Sequence, residues 1–174
     1  MTPPIAGNDG LVPAGTKVPE IALPLLDAPG RRTRVPRPGV EGLTLAAFVK
    51  ESCPTCRFTL PFLERLHTQV AAHGGNIVVV SQNDPQETAA LRDDLDLTIP
   101  IVIDAPDLAL SRWFDLVAVP TMYLIDESGA VRRGGVGFNK KELEAMADEL
   151  AASVSAAKPS LWKPEEKIPD LRPG

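Results

Sequence analysis

The stretch Leu43-Thr44-Leu45-Ala46-Ala47-Phe48-Val49-Lys50-Glu51-Ser52-Cys53-Pro54-Thr55-Cys56-Arg57 decides the fold of this chain of 174 residues. Residues 43–49 are almost entirely apolar, which is typical of a central strand that is covered on both faces. The stretch also contains the chain's two cysteines, Cys53 and Cys56. A Cys-x-x-Cys motif between a strand and a helix is typical of a redox site.

The spacing of the two cysteines has a geometric reason. Two residues between them, wound into the first turn of a helix, bring the sulfurs close enough to join. Free backbone N–H groups and the positive end of the helix dipole stabilise a thiolate on the first cysteine. We therefore predict that Cys53 attacks and that Cys56, one turn further in and more buried, resolves the mixed disulfide. Pro54 sets the helical φ at no cost in donors, and we hypothesise that the Thr55 hydroxyl donates to a sulfur.

The composition is that of a soluble globular domain with a full core, since 44% of residues are hydrophobic and 24% are charged. The net charge of −5 argues against nucleic acid as the main partner. No run approaches the roughly 20 apolar residues that span a bilayer. The first residues lack the basic and apolar regions of a signal peptide, so we predict a cytoplasmic location, with the loss of an export signal left open.

The chain before the motif predicts an irregular arm over residues 1–17 and a hairpin over residues 18–36. The turn of this hairpin is predicted at Asp27-Ala28-Pro29-Gly30. Four arginines follow on or just after the returning strand: Arg31, Arg32, Arg34 and Arg37. We interpret them as the charged guard of a solvated edge strand, and a site for an anionic ligand is the alternative.

The chain after the motif alternates helices and strands. The helix after Cys53 contains Pro61, which should kink it, and Gly74-Gly75 should end it. Asp84 and Asn139 are predicted helix caps, with Glu87 completing a capping box at the first of them. The remaining predictions are a strand at 77–80, a short strand at 99–103, a helix at 107–115, a hairpin of strands 121–125 and 131–138, and an extended Pro-rich tail from residue 158 that lies partly on the body.

Four segments together resemble the thioredoxin superfamily: Cys53-Pro54-Thr55-Cys56-Arg57, the Pro61 helix, Val117-Ala118-Val119-Pro120-Thr121 and the segment 123–129. The closest match is to the TlpA/ResA-like thiol-disulfide oxidoreductases, which overlap with the AhpC/TSA-Redoxin group. The resemblance implies a thioredoxin-like α/β fold over residues 18–157. Its central mixed β-sheet is flanked by helices and carries an N-terminal β-hairpin and a βα insertion.

The resemblance also implies an activity. It implies a reversible Cys53–Cys56 disulfide that exchanges with protein or small-molecule thiols and disulfides, and an upstream dithiol reductant or oxidant, without a cofactor or metal. The proline that matches Pro120 is cis in this family, and it would turn the Val119 backbone towards the sulfurs and an extended substrate. Pro54, Thr55, Val119 and Pro120 are therefore the predicted substrate-binding residues.

The sequence departs from the family pattern at three positions. Relatives usually carry Trp where this chain has Ser52. Ala47 replaces the buried Asp of thioredoxin, and Thr59 replaces the Glu of ResA-like proteins, so both proton-handling carboxylates are missing. We interpret Glu51 as a solvated loop charge, and a catalytic role for it is the alternative.

Three other functions are weighed against this one. A peroxiredoxin-like peroxidase would carry the pattern PxxxTxxC, but neither cysteine has Thr and Pro at the required positions. A metal site could use Cys53, Cys56 and His67, but a zinc site usually has a second close pair of ligands. A redox-silent peptide-binding module fits the missing carboxylates but not the retained cysteines. Trp162 in the tail either covers an apolar patch or occupies a partner's groove.

Overall fold

A computed structural model describes Pro4, Gly7 and residues 9–174 of the chain. Within them, a mixed sheet of seven strands has the order β2-β1-β5-β4-β3-β6-β7. Its strands are β1 (Leu23–Leu25), β2 (Ala28–Thr33), β3 (Thr44–Val49), β4 (Asn76–Ser81), β5 (Ile101–Ile103), β6 (Thr121–Ile125) and β7 (Val131–Val136), and two short strands, β8 (Phe138–Asn139) and β9 (Leu171–Arg172), pair separately. The helices are α1 (Pro54–Val70), α2 (Pro85–Asp94), α3 (Ala109–Trp113) and α4 (Lys140–Ser153). The predicted thioredoxin-like architecture is confirmed.

Strand β3 is an interior strand of the sheet, next to its middle strand β4. It runs parallel to β4 and antiparallel to β6, and all of its residues are buried. Leu45 and Ala47 face a cluster that includes side chains of α1, α2 and α4, whereas Ala46 and Phe48 face a cluster that includes α3. Because β3, β4 and β5 are mutually parallel, their carboxyl ends share one edge, and the loop after β3 places the cysteines there.

Two elements differ from their predicted bounds. The first hairpin turns earlier than predicted, so Ala28, Pro29 and Gly30 lie inside β2. Strand β2 is at the edge of the sheet, and an edge strand tolerates a proline because its missing N–H needs no partner there. Helix α3 is shorter than predicted, because Leu108 just before it adopts a left-handed φ of 52°.

The predicted helix ends are largely confirmed. The side chains of Asp84 and Asn139 accept hydrogen bonds from the third residues of α2 and α4, at 2.8 and 3.1 Å. The capping box at α2 is incomplete, because the Glu87 carboxylate accepts from the Asn83 side chain instead. Pro61 lies inside α1, and the kink predicted there stays a prediction. A short 3-10 turn follows α1, and Gly74 ends this turn with a left-handed φ of 84°.

Two parts of the chain flank this body. The arm predicted over residues 1–17 lies partly outside the described residues, and its described end packs on the sheet through the buried Val12. The tail from residue 158 lies partly on the body, as predicted, through the buried Leu161 and strand β9. Among the helices of the described residues, none combines the length and apolarity needed to cross a bilayer.

Candidate active site

The two cysteines lie at the junction of β3 and α1, at the end of the connecting loop and in the first turn of the helix. Cys53 is the N-cap residue of α1, and Pro54 is exposed at the start of the helix. The backbone N–H of Cys56 donates to the Cys53 sulfur at 3.1 Å. An otherwise unpaired N–H of the first turn therefore points at the Cys53 sulfur, which is the contact that the sequence predicts at the helix start.

The two thiols differ sharply in their surroundings. Both cysteines are free thiols, and Cys53 is partly exposed whereas Cys56 is fully buried. Burial raises the pKa of the Cys56 thiol well above its ordinary value, and its hydrogen bond with Cys53 raises it further. The arrangement suits an accessible first thiol that attacks and a sheltered second thiol that resolves.

The peptide bond before Pro120 is cis, as the resemblance implies. The Val119 carbonyl lies beside the motif and accepts a hydrogen bond from the Cys53 sulfur at 3.3 Å. The structure therefore brings Val119 and the cysteines together. Two further cis peptide bonds, Val35–Pro36 and Ala105–Pro106, were not predicted.

The surroundings of Cys56 lack the family's two carboxylates at their usual positions. Ala47 is fully buried in the same apolar cluster as Cys56, and the buried Thr59 hydroxyl donates to the Thr55 carbonyl at 2.7 Å. Glu51 forms an ion pair with Arg57 at 2.6 Å and is one-third exposed. The sequence predicts a freely solvated Glu51 carboxylate, whereas in the structure this carboxylate is paired with Arg57. No carboxylate stands at position 47 or 59 to accept the proton of Cys56.

The hypothesis that Thr55 donates to a sulfur is wrong. The Thr55 hydroxyl donates to the carbonyl of Pro173 at 2.6 Å. A backbone carbonyl of the tail reaches this hydroxyl because β9 lies against β8, next to the first turn of α1. The sequence carries no signal for this contact, since a Pro-rich tail has no periodicity that would place its end.

Trp162 covers an apolar patch, which was the first of its two interpretations. Its ring lies 4.9 Å from that of Phe62 and 6.0 Å from that of Phe138, centroid to centroid. Phe58 extends the same aromatic cluster towards the cysteines, with its ring 5.0 Å from Phe138. The tail is thus held by the helix that begins at the redox motif.

The four arginines Arg31, Arg32, Arg34 and Arg37 lie on or just after β2, which three other strands separate from β3 and the cysteines. Strand β2 is the solvated edge strand that the sequence predicts, and the alternative of an anionic ligand stays a prediction. A cavity of about 410 Å³ is lined by eleven residues: Leu25, Arg31, Arg32, Thr33, Arg34, Arg37, His67, Gly75, Asn76, Val78 and Pro100. The described residues contain no group of three His, Cys, Asp or Glu placed to bind a metal.

The sequence of the chain is similar to that of known proteins. The sequence model of the AhpC/TSA family matches residues 14–133. Thioredoxin-like protein YneN of Bacillus subtilis is 30% identical over 100 residues, which cover 55% of this chain and 58% of YneN. Thiol-disulfide oxidoreductase ResA of Halalkalibacterium halodurans is 32% identical over 80 residues, which cover 45% of each protein. The chain thus spans about half the length of these two curated relatives.

The fold has a solved counterpart. A Chlorobium tepidum protein assigned as the thiol:disulfide interchange protein DsbE superposes with a TM-score of 0.71 at 22% identity, over 82% of this chain and 98% of that one. At this identity the similarity establishes the fold alone. With the family match over residues 14–133, the chain belongs to the AhpC/TSA family and has a thioredoxin-like fold.

Proposed function

We propose that the protein is a thiol-disulfide oxidoreductase that uses a reversible Cys53–Cys56 disulfide. One observation carries the proposal. The partly exposed Cys53 sulfur accepts the Cys56 N–H at 3.1 Å, while the Cys56 thiol lies buried in the same helical turn. The names of the relatives YneN and ResA, a thioredoxin-like protein and a thiol-disulfide oxidoreductase, support the same activity.

The reaction follows from these positions. The Cys53 thiolate attacks one sulfur of a substrate disulfide, which forms a mixed disulfide and releases the other substrate sulfur as a thiolate that takes up a proton. Cys56 then loses its proton and attacks the Cys53 sulfur. The second substrate thiol leaves, and the protein holds a Cys53–Cys56 disulfide. The substrate has gained the two electrons that the protein has lost, and an upstream dithiol restores the protein by the reverse exchange.

The second step, the attack of Cys56 on the mixed disulfide, depends on removal of the Cys56 proton. The pKa of Cys56 is raised by burial, and the positions of the family's carboxylates are held by Ala47 and Thr59. Near neutral pH, the fraction of Cys56 present as thiolate is therefore small. We expect resolution of the mixed disulfide on Cys53 by Cys56 to be slow.

The experiment traps that intermediate. Cys56→Ser should hold a mixed disulfide through Cys53, visible by mass spectrometry, while the parent chain should reduce insulin in the presence of a dithiol. Peroxide consumption is measured in parallel. Thiol-dependent peroxide turnover without insulin reduction would replace the proposal with a peroxidase, and inactivity in both assays would leave a binding module.

A further inference from the structure

We propose that residues 169–174, here called the tail tip, act as an internal competitor by occupying the substrate groove, which we define as the surface that Thr55 and Val119 form beside Cys53. An incoming polypeptide strand must displace the tail tip before it can pair with the backbone next to the sulfur. Binding of a substrate in this groove rests on the proposed function, whereas occupation of the groove by the tail tip does not.

The tail tip is bound like a strand added to the body. Residues Leu171 and Arg172 pair antiparallel with Asn139 and Phe138, and the Lys140 N–H donates to the Asp170 carbonyl at 2.9 Å. Addition of an extended segment to a free strand edge is a common way in which proteins bind peptides. The tail tip therefore uses the contacts that a bound polypeptide would use.

The tail tip also contacts two of the four residues predicted to bind substrate, Thr55 and Val119. The buried Thr55 hydroxyl donates to the Pro173 carbonyl at 2.6 Å. Gly174 lies so close to the Val119 carbonyl that a Cβ on Gly174 would be 2.5 Å from that oxygen. The same Val119 carbonyl accepts the Cys53 thiol. A substrate strand paired at Val119 and the tail tip cannot be present together.

The tail is held firmly before the tip and weakly at it. Upstream, Arg65 donates to both oxygens of the Glu166 carboxylate and to the Leu161 carbonyl, and Trp162 packs on Phe62. The tip itself is mostly exposed and pairs over two residues on each strand. A tether of this kind keeps the tip at a local concentration on the order of millimolar, yet the tip can be displaced without releasing the tail.

The tail tip indicates the chemistry of the partner that replaces it. The Arg172 guanidinium lies 4.9 Å from the centre of the Phe58 ring, so this position favours a cation. The position against the Val119 carbonyl favours a residue without a side chain. The partner that fits is an extended polypeptide with a basic residue two positions before a small residue. The carbonyl of the residue between these two would accept the hydrogen bond from the Thr55 hydroxyl.

The test compares a bulky and a small reagent for the same sulfur. In a Cys56→Ser background, the rate of reaction of Cys53 is measured with a peptide disulfide of about a dozen residues and with iodoacetamide. These single-step rates do not require turnover, so they report on the groove even if insulin reduction fails. The variants are the full chain, a chain ending at Ile168, Gly137→Ala and Gly129→Ala.

The two glycine variants are matched. Gly137 and Gly129 have left-handed φ values of 70° and 85°, so alanine strains both backbones. A Cβ at Gly137 would be 2.8 Å from the Arg172 carbonyl, whereas a Cβ at Gly129 would meet nothing within 4 Å. Gly137→Ala therefore pushes the tail tip away, and Gly129→Ala reproduces the strain alone.

The expected result is selective. Trimming the chain and Gly137→Ala should each raise the rate with the peptide disulfide about tenfold, as expected for the loss of a few hydrogen bonds, and change the iodoacetamide rate less than about twofold. Gly129→Ala should behave as the full chain. Equal peptide rates in the full and trimmed chains would overturn the proposal. Inactivity of the parent towards insulin would overturn the proposed function and leave this result standing.

Discussion

The docking of the tail depends on one half-buried aromatic side chain, and its removal tests that dependence. Trp162→Ala deletes the ring that packs on Phe62 and Phe138 and whose Nε1 donates to Glu144. A tryptophan buries about 150–250 Å² when fully enclosed, so a half-buried one removes about 100 Å² from water. At about 25 cal/mol per Å², this contributes about 2.5 kcal/mol.

Two corrections set the expected value. Aromatic pairing adds about 0.5–1.5 kcal/mol, and residual burial in the unfolded chain removes about 10–40% of the area contribution. We expect Trp162→Ala to lower the free energy of unfolding by about 2–4 kcal/mol. For a chain of this length, the melting temperature should fall by about 5–15 °C.

The assay is urea unfolding with parent and variant at the same protein concentration. Trp162→Phe keeps a ring over Phe62 and should cost less than about 1 kcal/mol, which separates packing from general sensitivity of the site. A chain ending at Ala157 sets the upper limit, since Trp162→Ala cannot remove more than the whole tail contributes. A loss below about 0.5 kcal/mol for Trp162→Ala would refute the docking of the tail through this ring.

Three further predictions concern protons. Release of a labelled peptide from the Cys53 mixed disulfide should accelerate about tenfold per pH unit between pH 7 and 9, because the pKa of Cys56 is raised; stopped-flow fluorescence that shows a flat profile would contradict this. Arg65 lowers the pKa of Glu166 from 4.5 to about 2, so this ion pair stabilises the docked tail above about pH 4.5 and loses its effect as the pH falls towards 2. The fluorescence of Trp162, measured as the difference between the parent and Trp162→Phe, should therefore change between these pH values. The same difference should stay constant in a Glu166→Gln background. Thr59→Glu should speed release at pH 7 by about 100-fold through a carboxylate that accepts the Cys56 proton, whereas Thr59→Gln, of the same shape, should not; equal rates for the two variants would exclude proton transfer as the limiting event.

The central elements could be predicted because their signals are local. An apolar run indicates β3, and the spacing of cysteines and apolar residues indicates α1. Asn139 predicts its own hydrogen bond to the Glu142 N–H, since the cap and its partner are three residues apart. The roles proposed for Cys53 and Cys56 are likewise derived from a local feature, the start of the helix.

The tail and its contact with Thr55 could not be predicted, because they depend on residues far apart in the chain. Thr55 and Pro173 are separated by 118 positions, and neither has a neighbour in sequence that identifies the other. The turn of the first hairpin was misplaced for a related reason. Pro29 and Gly30 read locally as a turn, and only the position of β2 at the sheet edge makes them acceptable in a strand.

The proposed competition and the buried Cys56 act on different steps of one reaction. Displacement of the tail tip limits the first step for polypeptides but not for small disulfides, which do not need the Val119 backbone. Deprotonation of Cys56 limits the second step for both classes. While a polypeptide is linked to Cys53, the tail tip stays tethered nearby through Trp162 and the Arg65–Glu166 pair. Once Cys56 breaks the mixed disulfide, the released substrate strand competes for the groove with the tail tip, whose local concentration is on the order of millimolar. Rebinding of the tail tip therefore favours departure of the product over attack of its thiolate on the Cys53–Cys56 disulfide.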